Sequence, residues 1–333
     1  MDRRTFSKLL VAGTAAAALP GPPAASASAG APGRTGTAVP KHVRAGVLDV
    51  GYAESGPPAG PAVILLHGFP YDIHSYADVA PRLAAQGYRV IVPYLRGHGT
   101  TRFLSSATFR NAQQAAIALD IVALMDALKI KNAVLAGFDW GSRTADIIAA
   151  LWPERCKALV SVSGYLITNL EANRDPLPPQ AEHAWWYQYY FATERGRLGL
   201  EKYREEFVRL LWKSVSPTWK FDEATLKRTT ASFANPDWVP IVIHNYRWRL
   251  SLAKGEPRYD SVEKRLAAAP KISVPTITLD AELDPFTPPG NGSSYRERFT
   301  GAYEHRTLRG VGHNVPQEAP EAFARAVADV DGF

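Results

Sequence analysis

Short runs of apolar, often β-branched residues alternate with longer stretches of helical spacing along most of the chain. The apolar runs occupy residues 62–66, 89–92, 133–136, 158–162 and 275–279. Runs of about five apolar residues are typical of strands that are buried on both faces. The stretches with helical spacing lie near residues 75–86, 111–129, 141–151 and 318–330. The alternation predicts an α/β protein with a mostly parallel sheet flanked by helices.

The strand pattern is interrupted between residues 168 and 270. This segment combines helical spacing, prolines and many aromatic residues. Six of the eight tryptophans lie in it: Trp185, Trp186, Trp212, Trp219, Trp238 and Trp248. We expect a helical cap over the carboxyl edge of the sheet, inserted between core segments at 43–167 and 271–333. Its tryptophans should form an apolar wall that favours a water-poor substrate.

The first residues have the pattern of an export signal, at 1–29, followed by a linker over residues 30–42. Arg3, Arg4 and Lys8 precede an apolar stretch and a run of small residues, which is the order found in secretory signals. The arginine pair resembles the twin-arginine signal. We therefore expect an exported protein, secreted or periplasmic, that uses the twin-arginine export machinery.

The composition excludes several other classes of protein. The 333 residues are 46% hydrophobic and 21% charged, and no apolar run reaches the roughly 20 residues of a membrane span. The single cysteine, Cys156, excludes an intramolecular disulfide and a cysteine-rich metal site. The net charge of +6 comes without a dense run of Lys or Arg, so nothing indicates a nucleic-acid partner. We expect neither a metal nor another cofactor.

The turn after the apolar run at 133–136 has the sequence Gly137-Phe138-Asp139-Trp140-Gly141. A strand-to-helix turn of this pattern is typical of a nucleophile elbow, whose glycines allow the chain to turn sharply. Asp139 would be a poor nucleophile toward esters or amides, because the acyl product would be an anhydride. It can instead displace a group at saturated carbon and form an alkyl ester. The alternative interpretation is that Asp139 only caps the following helix.

Two later segments complete a triad in the order nucleophile, acid, base. We expect His313, in a loop before the last helix, to activate water. We expect Asp284, just beyond the last apolar run, to hold the second ring nitrogen of that histidine. Asp280 and Glu282 compete with Asp284 for this role.

The first apolar run leads into His67-Gly68-Phe69-Pro70. The backbone N–H groups of Phe69 and Trp140 should point at an oxygen beside Asp139. They would stabilise the oxyanion that forms when water attacks the ester. We expect His67 to stabilise the turn rather than to carry a proton.

Together, these motifs resemble those of the α/β-hydrolase-fold epoxide hydrolases over roughly residues 43–331. The segments at 186–191 (Trp-Tyr-Gln-Tyr-Tyr-Phe) and 245–247 (Asn-Tyr-Arg) match motifs in the cap of that family. The resemblance implies an α/β-hydrolase fold and a hydrolase that opens a small apolar epoxide to a vicinal diol.

The same resemblance assigns a role to two cap tyrosines. By their positions in the motifs, Tyr187 and Tyr246 are expected to hydrogen-bond and protonate the epoxide oxygen. A phenol can do so because its pKa, about 10, lies several units below that of the alcohol being formed. Tyr189 and Tyr190 are rivals of Tyr187, since the side chains of three tyrosines within four residues cannot all face one cleft.

The sequence also allows two other functions and further contacts with the substrate. A haloalkane or haloacid dehalogenase would use the same triad, and a binder of hydrophobic ligands would keep the elbow without catalysis. Arg143, one turn after Asp139, resembles an arginine of fluoroacetate dehalogenases and would favour a substrate with a carboxylate if it reaches the cleft. Trp185, Trp186 and Tyr190 are further candidates for contact with the substrate.

Overall fold

The computed structural model describes residues 40–287 and 289–333. The expected export signal at 1–29, and all but residues 40–42 of the expected linker, lie outside these residues and stay predictions. Within the described residues, no helix is both long and apolar enough to cross a membrane.

The strands of the described residues form one mostly parallel sheet. They are β1 (Lys41–Ala45), β2 (Leu48–Ser55), β3 (Ala62–Leu66), β4 (Arg89–Pro93), β5 (Arg102–Phe103), β6 (Ala133–Gly137), β7 (Cys156–Val162), β8 (Thr276–Ala281) and β9 (Tyr303–Leu308). Their order is β1-β2-β4-β3-β6-β7-β8-β9, with the short β5 beside β2. Neighbours from β4 to β9 are parallel, whereas β2 is antiparallel to its neighbours. The predicted α/β class is confirmed.

The predicted strands correspond to β3, β4, β6, β7 and β8, which occupy the middle of the sheet. The sequence did not predict β1, β2, β5 and β9. Strand β9, with the sequence Tyr-Glu-His-Arg-Thr-Leu, is partly exposed along its length. An edge strand needs no continuous apolar run, because it is not covered on every side.

The helices lie in the connections between strands and after the last strand. They are α1 (Ala80–Ala85), α2 (Gln114–Ala127), α3 (Trp140–Leu151), α4 (Pro179–Ala184), α5 (Trp186–Ala192), α6 (Glu194–Lys202), α7 (Arg204–Val215), α8 (Glu223–Ala231), α9 (Trp238–Arg249), α10 (Asp260–Ala267), α11 (Val315–Glu318) and α12 (Pro320–Val330). Helix α1 begins five residues later than predicted. Pro81 lacks an amide hydrogen and is accommodated in the first turn of a helix, so it fixes this start.

The central strands are covered by helices. Helix α3 packs on β3, β6 and β7, while α12 packs on β7 and β8. Strand β7 is buried at six of its seven positions, as expected for a strand with both faces covered. Helices α4 to α10 all lie between β7 and β8 in sequence, in the segment expected to form a cap. Of these, α10 packs on α2 of the core.

Candidate active site

Asp139 occupies the sharp turn between β6 and α3. Its backbone has φ 54° and ψ −121°, a strained conformation for a residue other than glycine. A Cβ at Gly141 would collide with the carbonyl oxygen of Leu66, and one at Gly68 would collide with the Asp139 side chain. Glycine at both positions therefore allows the chain to pass closely enough for this turn to form. This is the geometry predicted for a nucleophile elbow.

The Asp139 carboxylate is buried but has partners on both oxygens. Its Oδ1 accepts a hydrogen bond of 2.7 Å from the backbone N–H of Phe69, and its Oδ2 lies 3.7 Å from Nε2 of His313. Burial raises the pKa of Asp139, but His313, Arg143 and the Phe69 N–H outweigh it, so the net pKa is lowered. Asp139 is therefore an anion at neutral pH and can act as a nucleophile.

His313 stands between two carboxylates. Its Nδ1 donates to Oδ2 of Asp284 over 2.8 Å, while its Nε2 faces Asp139. Burial disfavours the imidazolium, but Asp284 and Asp139 together raise the pKa of His313 to about 10. The imidazole is consequently charged at neutral pH as long as Asp139 remains an anion.

The structure separates Asp284 from its rivals in the sequence. Asp280 accepts a 2.8 Å hydrogen bond from the Tyr295 hydroxyl and a 3.3 Å bond from the Gly290 N–H. Glu282 accepts a 2.7 Å bond from the Gly310 N–H. Asp284 alone of the three contacts His313.

Glu318 holds the loop of His313, and sequence reasoning missed it. Its carboxylate accepts hydrogen bonds from the N–H groups on either side of the histidine, at 2.8 Å from Gly312 and 3.0 Å from Asn314. It also accepts a 2.6 Å bond from the Ser216 hydroxyl. The sequence does place Glu318 in a short helix directly after the His313 loop. Because helical side chains lean toward the N-terminus of their helix, its carboxylate can reach that loop. This signal was weak, since α11 has only four residues.

The two predicted oxyanion donors, the backbone N–H groups of Phe69 and Trp140, have different hydrogen-bond partners. The Phe69 N–H already bonds Asp139. Trp140 is the first residue of α3, so its backbone N–H has no acceptor within the helix. Its indole Nε1 is buried and has no hydrogen-bond partner among the described residues. The expected turn-stabilising role of His67 agrees with its ring contacts, because it accepts a 3.2 Å bond from the Leu95 N–H.

Tyr187 on α5 and Tyr246 on α9 lie side by side. Their rings are nearly perpendicular, with centroids 5.2 Å apart, and both residues are fully buried. Burial raises the pKa of each phenol, and the charge of Asp139 raises both further, whereas Arg249 acts in the opposite direction. Both hydroxyls are therefore protonated at neutral pH and lie within the electrostatic influence of Asp139.

The rivals of Tyr187 point elsewhere. Tyr189 is 45% exposed. The ring of Tyr190 packs on Trp186, with centroids 6.0 Å apart. Among the three tyrosines of α5, Tyr187 is thus the one paired with Tyr246.

A cavity of about 270 Å³ reaches Asp139 and His313. Of the candidates for contact with the substrate, Arg143 and Trp185 line it. Trp186 and Tyr190 do not, because α5 turns them toward other aromatic residues of the helical segment; their contact with the substrate stays a prediction. Tyr187 and Tyr246 stand beside the cavity rather than among its lining residues.

Two of the cap tryptophans, Trp212 and Trp238, join the helical segment to the core. Trp212 donates its indole N–H to the Pro70 carbonyl over 3.2 Å and stacks on Tyr71. Trp238 stacks on Phe69. Only Trp185 of the six lines the cavity, where it stacks on Phe286 with centroids 4.0 Å apart. The expected tryptophan wall is therefore reduced to one residue.

Within residues 40–287 and 289–333, no group of three or more His, Cys, Asp or Glu side chains is arranged to hold a metal ion.

Comparison with known proteins shows that the chain is similar to known hydrolases. A family model described as "alpha/beta hydrolase fold" matches residues 61–320. "Epoxide hydrolase A" of Mycobacterium tuberculosis is 33% identical over 302 residues, which cover 83% of this chain and 92% of that protein. An "Epoxide hydrolase" of Caballeronia sordidicola is 36% identical over 115 residues. That match covers 34% of either protein, so the chain spans about a third of this relative's length.

A solved structure from Klebsiella pneumoniae is more similar in sequence. It is 58% identical, with a TM-score of 0.87, and the match covers 88% of this chain and 97% of the other. That protein is provisionally described as an epoxide hydrolase.

The partner of His313 can be tested by titration. Replacing Asp284 with Asn should lower the pKa of His313 from about 10 toward the ordinary value for histidine, about 6.5, because a buried anion that stabilises the imidazolium is removed. NMR titration of the labelled imidazole measures this pKa. Asp280→Asn is the matched control and should leave the pKa unchanged. An equal effect of both changes would contradict the assignment of Asp284.

Proposed function

Because the chain belongs to the α/β hydrolase fold family, we propose that it is an epoxide hydrolase that forms vicinal diols through a covalent ester on Asp139. The observation that carries the proposal is the buried carboxylate at the tip of the elbow, facing His313 at 3.7 Å. The relatives named as epoxide hydrolases support the same reaction.

The first step opens the ring. Asp139 attacks an oxirane carbon, the carbon–oxygen bond of the ring breaks, and a tyrosine proton passes to the oxygen that leaves. Tyr187 and Tyr246 are the donors, and one of them becomes a phenolate. Arg249 favours this change, since its positive charge lowers the pKa of both phenols.

Ester formation then changes the protonation of His313. Once Asp139 is esterified it carries no charge, so one of the two anions that raise the histidine pKa is lost. The imidazolium can now return its proton to the phenolate. His313 thereby becomes neutral, as a general base must be, and Asp284 keeps its ring oriented.

Hydrolysis of the ester completes the cycle. Neutral His313 takes a proton from water, and the hydroxide attacks the carbonyl carbon of the Asp139 ester. The N–H groups of Phe69 and Trp140 stabilise the oxyanion. The acyl carbon–oxygen bond of the ester then breaks, and the proton of the added hydroxyl group passes to the departing alkoxide. Release of the diol leaves the Asp139 carboxylate and the His313 imidazolium of the starting state.

Two further parts of the proposal concern the remainder of the chain. Residues 168–270 act as a cap, supported by α5 and α9, which bring Tyr187 and Tyr246 together. Residues 1–29 direct export through the twin-arginine machinery, supported by the arginine pair and the apolar stretch that follows it.

One observation favours a dehalogenase as the second candidate. The indole Nε1 of Trp140, next to the nucleophile, is buried without a partner in the described part of the chain. An N–H in this position could bind a departing halide, which needs hydrogen-bond donors but no proton. Epoxide opening needs the tyrosine pair as proton donors, whereas halide release does not, so the two reactions should respond differently to loss of the tyrosine hydroxyls.

Isotope labelling tests the covalent step. In a single turnover with excess enzyme in oxygen-18 water, one label should enter the Asp139 carboxylate, because water attacks the carbonyl carbon of the ester. The first diol should contain no label. Mass spectrometry of the peptide with Asp139 and of the diol measures both. Label in the diol but not in Asp139 would show that water opens the epoxide directly.

Removing the tyrosine hydroxyls tests the nature of the leaving group. The double variant Tyr187→Phe with Tyr246→Phe should form diol at least about 100-fold more slowly, since general-acid catalysis contributes roughly 10²–10⁴ in rate. Release of chloride from a chloroalkane, if the protein catalyses it, should fall far less. Tyr189→Phe, on the exposed side of α5, is the control. If the double variant lost diol formation and chloride release to the same extent, the tyrosines would not be the proton donors to the epoxide oxygen.

A further inference from the structure

The cavity beside Asp139 is lined by two guanidinium groups, from Arg143 and Arg249. Arg143 lies on α3 one turn after the nucleophile and is only 8% exposed. Its Nε donates to the Leu166 carbonyl over 3.0 Å, and its terminal nitrogens have no hydrogen-bond partner within the described residues. This side chain is thus fixed at one nitrogen while its other donors stay free.

Arg249 approaches the same cavity from the end of α9. Its guanidinium lies 5.5 Å from the ring centroid of Trp185 and 5.8 Å from that of Tyr246. Its Nε is buried and lacks a hydrogen-bond partner among residues 40–287 and 289–333. The two aromatic rings therefore fix the position of a cation whose donors are not used by the protein.

Among the described residues, no carboxylate oxygen lies within ion-pair distance of either arginine, although the more distant charge of Asp139 stabilises the Arg143 cation. Asp146, on the same helix as Arg143, instead accepts a 2.8 Å bond from the Leu166 N–H, and burial raises its pKa to about 7. Burial, and then the charge of Arg249, lower the pKa of Arg143 to about 10. Arg143 therefore remains charged at neutral pH, and the positive charge of Arg249 repels it across the cavity.

Two like charges in a buried or half-buried site, with unused donors and no directly bonded carboxylate, are unfavourable unless an anion joins them. We propose that this cavity binds the carboxylate of the substrate, so that the protein hydrolyses epoxides that carry a carboxylate group. The inference rests on the proposed epoxide hydrolysis at Asp139, which lines the same cavity. It replaces the expected apolar substrate with one that has a charged end.

The remaining lining limits the size of this substrate. A volume of about 270 Å³ lies below the roughly 300–1,000 Å³ of cavities for drug-sized ligands. The stacked rings of Trp185 and Phe286 provide an apolar surface between the arginines and the triad. A short acid, with a few carbon atoms between the carboxylate and the oxirane ring, fits this combination.

The test compares acids with their neutral amides. Epoxides with a carboxylate joined directly or through one to three methylene groups are each paired with the primary amide of the same length. At low ionic strength, kcat/KM for the preferred acid should exceed that of its amide at least about tenfold, because charge-assisted hydrogen bonds are the stronger ones. The difference should decrease as sodium chloride is added.

Two variants connect this preference to the arginines. Arg249→Gln and Arg143→Gln should each bring the acid-to-amide ratio close to one by raising KM for the acid. Loss of the Arg249 charge beside the tyrosines should in addition lower kcat for the acid and the amide by the same factor, which leaves the ratio as the readout. Arg143 is buried, so the Arg143→Gln variant could fail to fold. The Arg249→Gln variant then still tests the proposal, because Arg249 is only half-buried at the end of its helix. Arg325→Gln removes the same charge from exposed surface on α12 and should leave the ratio unchanged.

Binding of unreactive molecules separates this inference from the proposed function. Calorimetry should detect butanoate but not butanamide in the unmodified protein, and Arg249→Gln should weaken butanoate binding about tenfold or more. Butanoate binding without hydrolysis of any epoxide would support the carboxylate site and contradict the proposed function. Hydrolysis of amides as fast as acids, or equal losses for both in the arginine variants, would overturn the carboxylate site and leave epoxide hydrolysis intact.

Discussion

The chemistry of this protein depends on one histidine held between two carboxylates. Asp284 lies at 2.8 Å from one ring nitrogen of His313 and Asp139 at 3.7 Å from the other. Only Asp139 changes its charge during the proposed reaction. Its esterification lowers the histidine pKa at the point when a neutral base is needed. The nucleophile therefore also regulates the base, because both functions depend on the same negative charge.

The fold makes this arrangement possible at the carboxyl edge of the sheet. The elbow after β6, the loop after β3 and the segments after β8 and β9 all leave strands at that edge, where sites of open α/β sheets are found. Local constraints then orient the groups. The strained turn at Asp139 aims the carboxylate, and Glu318 holds the N–H groups on both sides of His313. Side chains that are distant in sequence thus meet at one edge of the sheet.

The sequence predicted the residues that follow strong local patterns. A buried strand followed by a Gly-rich turn pointed to Asp139, and the sequence Gly310-Val311-Gly312 in the loop before the last helix pointed to His313. Glu318 and Arg249 were missed, because their importance depends on which distant elements they contact. Strand β9 was missed since its exposed residues do not repeat as an apolar run. Of the cap tryptophans, only Trp185 lines the described cavity, because composition shows that a side chain is apolar but not which face of the cap it covers.

The covalent ester is the central claim, and trapping it is the most direct measurement. In a His313→Gln variant, the base that activates water is absent while the Asp139 carboxylate remains. Incubation with an epoxide that the unmodified protein converts should add the mass of one epoxide to the intact protein, located on the peptide with Asp139. An adduct on another residue, or continued diol formation by a variant that never gains mass, would contradict the account.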